Sequence, residues 1–250
     1  MDPRSLYLDY IRALISITML GYASYKDMKT REIQDIVWIV PGAVGLLLGV
    51  YELFLGSISL QGVLFSIGFM VMLSGILWFL RLFGEADLIA FVTLAVIHPR
   101  TPVYGFIGDP PLFFSFTLIA NSAIAGLFTA FYTFIVNLLE LLRGKDLFDR
   151  YSDVSVLRKI AILFTGRNMS MERVRGPPFE YPLEVKGELI IKPDLFDDEA
   201  ANKEFRILRE KGANMVWVSA TLPYIVVLFV GYLISILYGD VIFSIMSILV

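Results

Sequence analysis

The chain has no cysteine, a single histidine (His98) and few charged residues, 18% of its 250 positions. The missing cysteines exclude disulfides, thiolate nucleophiles and cysteine metal ligands. One histidine cannot form a zinc-binding cluster, and it leaves one imidazole at most as a catalytic base. Soluble domains carry roughly a quarter charged residues, whereas here long stretches carry almost none. The 21 Lys and Arg and 24 Asp and Glu are unevenly placed, so their positions matter more than the net charge of −3.

What fills the chain instead is apolar. Hydrophobic residues make up 57% of it and the mean hydropathy is +0.71. Several runs approach or exceed the roughly 20 residues needed to cross a bilayer as a helix. The expected fold class is an all-α polytopic membrane protein of about six transmembrane helices, with a small soluble α+β insert before the last one. Spans are expected over residues 6–24, 36–54, 62–83, 88–97, 112–139 and 215–237. The first is expected to be retained rather than cleaved, because Asp9 and Arg12 lie inside it, no small-residue cleavage site follows and further spans come after. The fourth run is short. Its ten or so residues rise about 15 Å, half the hydrocarbon thickness. It can span only if Gly84–Asp87 or His98 lies at membrane depth, shielded by protein or facing a wet cavity.

Composition changes at Arg143, and residues 143–213 hold most of the Lys and Arg, punctuated by Pro177, Pro178, Pro182 and Pro193. This is the expected cytoplasmic soluble insert, with helices over 154–164 and 199–211 and short strands at 183–185 and 189–191. The membrane domain is then 1–142 completed by 214–250, the latter being the last helix and its tail. Lys26, Lys29, Arg31, Arg81 and the insert's basic residues share one side, while Arg4 and Arg100 lie on the other. The positive-inside rule therefore places the insert in the cytoplasm and both termini outside. Asp27 and Asp87 fall on the same cytoplasmic face of the cell membrane.

Charge at membrane depth is costly and usually functional. Two carboxylates from neighbouring helices can form an acid/base dyad whose proton affinities are split by proximity and desolvation. One member takes a proton from water as the water attacks an amide carbonyl, and the other polarises that carbonyl. Such a dyad needs no cofactor and no metal. The structural alternatives are that Asp87 merely caps a helix and that Asp27 is an interfacial residue neutralised by Lys26 or Lys29. Asp9 and Arg12, spaced i,i+3, read as a structural or snorkelling pair, and His98 as a helix-end residue.

The tetrapeptide Gly84-Glu85-Ala86-Asp87 resembles the Gly-x-Gly-Asp signature of intramembrane aspartyl proteases, which include type IV prepilin peptidases, archaeal preflagellin peptidases and presenilins. The resemblance implies that Asp87 is the second catalytic aspartate and that Asp27, at the end of an early helix, is the first. Gly84, Glu85 and Ala86 become motif or substrate-contact candidates. Chain length, span number, the late insert and the stretch Asp27-Met28-Lys29-Thr30-Arg31-Glu32-Ile33 look most similar to archaeal preflagellin peptidases. Ala86 departs from the signature; it is small enough for close helix approach but lacks the φ freedom of glycine. The paired Cys-x-x-Cys insert of many bacterial prepilin peptidases is absent, which argues against that branch. The resemblance implies preflagellin or prepilin-like precursors as partners, losing a short basic leader at the cytoplasmic face. Membrane lipids are the other expected partner, and no nucleic acid is. The competing readings are an ion- or proton-coupled transporter using intramembrane carboxylates and a scaffold acting through its insert. A serine protease is disfavoured, because Met72-Leu73-Ser74-Gly75 lacks the first glycine of Gly-x-Ser-Gly and only His98 could serve as base.

Overall fold

A computed structural model describes residues 3–249; the outermost positions of the expected terminal segments, 1–2 and 250, lie outside it. The chain divides into two compact units, one running up to Gly126 and resuming at Pro223, the other being Leu127–Leu222.

The first unit is helical. It comprises α1 (Pro3–Thr30), α2 (Ile36–Phe54), α3 (Leu60–Phe79), α4 (Glu85–Ile97), the first part of α5 (Phe114–Leu142), α8 (Tyr224–Leu237) and α9 (Val241–Leu249). Among the described residues three helices, α2, α3 and α5, are each long and apolar enough to cross a membrane; α8 and α9, bent by 57° at their junction, make a fourth candidate if taken together. Of the six expected spans the other two are α1 and α4. The 28-residue α1 is long enough but carries Arg4, Asp9, Arg12, Lys26, Asp27 and Lys29, and α4 has only 13 residues.

The short α4 is the core of this unit. Leu88, Ala90, Phe91, Leu94, Ala95 and Ile97 are all buried, packed with Met19 and Leu20 of α1, Trp38 of α2, Met70 of α3 and Leu228 and Tyr232 of α8. A helix apolar on every side is stable only when surrounded, and α4 is. Close approach to α2 needs Gly45, where an added Cβ would lie 2.8 Å from the Ile97 Cα. His98 caps the C-terminus of α4, as expected for a helix-end residue. Its Nε2 pairs with Ser16 Oγ at 3.1 Å and Tyr232 OH at 2.9 Å, joining α1, α4 and α8.

A buried ionic cluster lies near the start of α1. The expected Asp9–Arg12 pair forms at 3.5 Å, but both residues are about 1% exposed, so the arginine does not snorkel. It is instead neutralised in place. Glu52 of α2 and Arg100 of the loop after α4 complete a four-membered network.

The second unit holds the strands. β5 (Met215–Ala220) is the centre of an antiparallel sheet ordered β1 (Arg167–Ser170), β5, β2 (Glu180–Pro182). Residues 215–220 were expected to open the last span. They form a strand because alternate side chains serve two small cores: Trp217 packs with Leu147, Phe148, Ile162 and Leu163, and Val216 and Val218 with Met171 and Phe205. The last apolar segment therefore starts at Tyr224, with α8. The expected helices appear as α6 (Val156–Thr165) and α7 (Asp198–Glu210). Asp197 caps α7 by accepting the Ala200 N–H at 2.9 Å. The expected strands form a hairpin, β3 (Glu184–Val185) with β4 (Glu188–Leu189). Its two-residue turn has positive φ at both Lys186 (52°) and Gly187 (85°), as a type I′ turn requires.

Candidate active site

The last turn of α1, the first turn of α4 and the first turn of α8 meet around two carboxylates. Asp27 is buried, and Asp87 is half-buried. Asp27 Oδ2 accepts the backbone N–H of Ile225 at 3.2 Å, and its Oδ1 pairs with Arg31 Nη1 at 3.1 Å. The first of these bonds has a local cause. The residue before α8 is Pro223, whose side chain cannot accept a hydrogen bond, so the start of α8 has no side-chain cap from its own N-cap residue. Asp27 supplies that cap from α1, where the helix dipole also favours a negative group. Ser24, one turn earlier on α1, donates to the Ile225 carbonyl at 3.3 Å. The same backbone residue is thus held from both sides.

Lysine neutralisation of Asp27, the simpler sequence alternative, is not what the structure shows. Lys26 Nζ lies 5.9 Å from the Tyr22 ring centroid, and Lys29 Nζ 5.6 Å from that of Tyr25. The cation on Asp27 is Arg31, one helical turn on. Arg31 adopts φ 60°, a left-handed conformation that costs a residue with a Cβ about 1–2 kcal/mol. The ion pair with Asp27 helps hold it there.

Asp87 is the third residue of α4, and its Oδ2 accepts the Gly84 N–H at 3.2 Å. It therefore does cap its own helix, as the structural alternative held. Capping does not bury its surroundings in polar groups. Phe83 precedes the motif, Phe91 lies one turn along the same face of α4, and Tyr224 packs edge-on against both, with centroids 4.5 and 5.9 Å away. Asp87 and Asp27 are close enough to feel each other's charge, with Arg31 within electrostatic reach of both. Tyr224 is within reach of Asp87 as well. Among the described residues no hydrogen bond joins the two carboxylates, and no three His, Cys, Asp or Glu side chains group as a metal site.

The other motif residues differ in position. Gly84 is the N-cap of α4, Glu85 is exposed, and Ala86 is half-buried against the apolar core. Sequence reasoning did not single out Tyr224 or the Ile225 N–H. Their one signal was Pro223, which marks an uncapped helix start.

A bundle of apolar helices with paired carboxylates at adjoining helix ends defines a class of helical membrane proteins before it defines a reaction. The comparisons narrow the class. Residues 158–241 match a family model described as Archaeal Peptidase A24 C-terminus Type II. Over most of its length the chain is also similar to curated preflagellin peptidases. It is 26% identical to that of Methanococcus voltae over 92% of this chain and 97% of the relative. It is 23% identical to that of Methanococcus maripaludis, over 92% and 96%, and 22% identical to that of Methanocaldococcus jannaschii, over 94% and 97%. The expected resemblance to archaeal preflagellin peptidases is borne out.

Proposed function

We propose that this protein is a membrane-embedded aspartyl endopeptidase that removes the leader from preflagellin or prepilin-like precursors, with Asp27 and Asp87 as its catalytic pair. The observation that carries the reading is the convergence of these two carboxylates from α1 and α4 at the start of α8, in a chain similar along its length to preflagellin peptidases. In this reading α1 and α4 complete a six-span topology, with the site and the insert facing the cytoplasm.

Water held between the carboxylates attacks the scissile carbonyl carbon while one carboxylate takes its proton. The other, in its protonated form, donates to the carbonyl oxygen, and the C–N bond then breaks as the first returns the proton it took from water to the leaving nitrogen. Either residue can hold the proton that the step requires. Asp27 is oriented by two fixed donors, and Asp87 by its bond to Gly84. The Tyr224 ring walls the site beside Asp87, and its hydroxyl is a further donor for the developing oxyanion. The substrate helix must unwind at the cut, because helical amides are shielded by their own hydrogen bonds. Transport is less well supported: of the other buried acids in the first unit, Asp9 and Glu52 are each paired with arginine, and Asp240 already accepts from the Thr117 hydroxyl and the Phe243 N–H.

The test is cleavage of a tagged preflagellin by membranes containing wild type, Asp27→Asn or Asp87→Asn. Both substitutions are expected to abolish cleavage at normal expression. Activity retained by either one overturns the dyad.

A further inference from the structure

The α6 helix presents two apolar faces. Ile162 and Leu163 are buried in the core around Trp217. Val156, Leu157 and Ile160 lie elsewhere on the helix and are 71%, 81% and 43% exposed. At 3.6 residues per turn, Val156, Ile160, Phe164, Leu157 and Ala161 fall within one arc of about 140°. Arg158 and Thr165, both exposed, border it. Isolated exposed apolar residues are ordinary, but a continuous arc is the mark of a surface that meets another apolar phase.

The position of α6 along α5 says which phase. Phe164, near the end of α6, stacks on Phe134 of α5 with ring centroids 4.3 Å apart and sits edge-on to Phe131 at 5.8 Å. The 29-residue α5 is a candidate span. Counting about 20 residues from Phe114 brings the far edge of the hydrocarbon to Phe131–Phe134. Tyr132, 65% exposed at that level, is the kind of residue that populates membrane interfaces. Leu127 and Phe128, 56% and 70% exposed, carry the apolar surface of α5 down to this point, and the arc on α6 continues it.

We propose that α6 is an in-plane interfacial helix, with Val156, Leu157 and Ile160 sunk into the boundary between acyl chains and headgroups and Arg158 beside the lipid phosphates. The occupant of the exposed face is the bilayer, because the face continues the surface of a membrane-crossing helix and is edged by a cation. The proposal does not depend on the catalytic reading. Its consequence is that the insert is a membrane-bound layer rather than a freely solvated domain.

The native absence of cysteine makes the test direct. Single-cysteine variants of the full chain, Leu157→Cys, Ile160→Cys and Arg158→Cys, are labelled with an environment-sensitive fluorophore and placed in nanodiscs containing anionic lipid. Leu127→Cys on α5 is the lipid-facing reference and verifies insertion in the same preparation; Glu199→Cys on α7 is the aqueous one. The expected result is that labels at 157 and 160 are quenched by spin-labelled lipid, as at 127, and protected from aqueous iodide, with 158 intermediate. Iodide quenching at 157 and 160 equal to that at 199 overturns the proposal. So does protection from both quenchers, which means that protein covers the face.

Discussion

Replacing Glu52 with glutamine should destabilise this protein far more than the loss of any exposed carboxylate. Glu52 has no exposed surface; one oxygen lies 2.5 Å from Arg12 Nη1 and the other 2.8 Å from Arg100 Nη2. Asp9 is the second acid of the cluster, 3.5 Å from Arg12 and 2.9 Å from Arg100, and it also accepts the Val103 N–H at 2.7 Å. Two acids and two arginines balance. Glutamine would leave one uncompensated positive charge in a cluster that reaches the surface only through Arg100, 20% exposed, and would set an amide N–H against an arginine donor. Removing one partner of a buried ion pair costs about 3–5 kcal/mol. At about 2–4 °C per kcal/mol for a chain of this length, Tm should fall by about 6–20 °C. Thermal unfolding in detergent, followed by tryptophan fluorescence, measures this. Glu140→Gln is the control: its partners Arg143 and Lys145 are 69% and 60% exposed, so Tm should hardly move. Asp9→Asn should behave like Glu52→Gln. Cleavage by either variant at low temperature should persist, because Asp9 and Asp27 are separated by about 27 Å along α1 at 1.5 Å per residue. Equal Tm values for Glu52→Gln and Glu140→Gln would refute the reasoning.

Three further outcomes follow from the packing and the site. Tyr224→Phe keeps the ring against Phe83 and Phe91 and removes only the hydroxyl. It should lower kcat about tenfold, equivalent to about 1.4 kcal/mol of transition-state stabilisation, with KM little changed; an unchanged kcat removes the hydroxyl from the reaction while leaving the dyad intact. Gly45→Ala forces a Cβ into the Ile97 backbone and should cost about 1–3 kcal/mol. Gly49→Ala, with nothing within 4 Å of the new Cβ, should be neutral or stabilising by up to about 1 kcal/mol, and a reversed order in thermal unfolding would contradict the close α2–α4 packing. In the insert, burial and the hydrogen bond to Asp198 push the Tyr181 phenol above its usual value of 10.0. The unfolded chain therefore loses this proton first, so stability is intact below about pH 10 and declines above it. Tyr181→Phe should blunt that decline in denaturant titrations at alkaline pH.

The apolar runs located most helices to within a few residues because a span must satisfy its backbone internally and is therefore written as one continuous signal. Where the signal was misread, a second environment had been superimposed. Met215–Ala220 is as apolar as a span, yet it is the central strand of the sheet, buried on both faces, and such strands read as continuous hydrophobic runs. The candidate site was legible as two acidic residues expected on one side of a membrane, since charge stands out against an apolar background. The groups holding Asp27 were not. One is a backbone N–H, which no side-chain pattern reports, and Arg31 was counted only as one of several loop cations. Glu52 escaped notice because a single acid inside an apolar helix has no local partner. Arg12 and Arg100 come to it only through the packing of α2 with α1 and the loop after α4.

The two charged clusters also differ in their balance. Near the start of α1, two carboxylates meet two guanidinium groups, and each acid is ion-paired with both arginines. That cluster is complete, and any guest would have to break it. At the other end of α1, two carboxylates share one arginine, because Lys26 and Lys29 are engaged with tyrosine rings instead. Among the described residues one acidic equivalent is left unmatched. Beside apolar walls of Phe83, Phe91 and Tyr224 such an excess is costly until a proton or an approaching cation offsets it. The first cluster has the balance of a structural joint. In the function proposed above, the second has the imbalance that a proton-transferring pair requires, and it would favour a substrate bearing a basic segment next to an apolar helix.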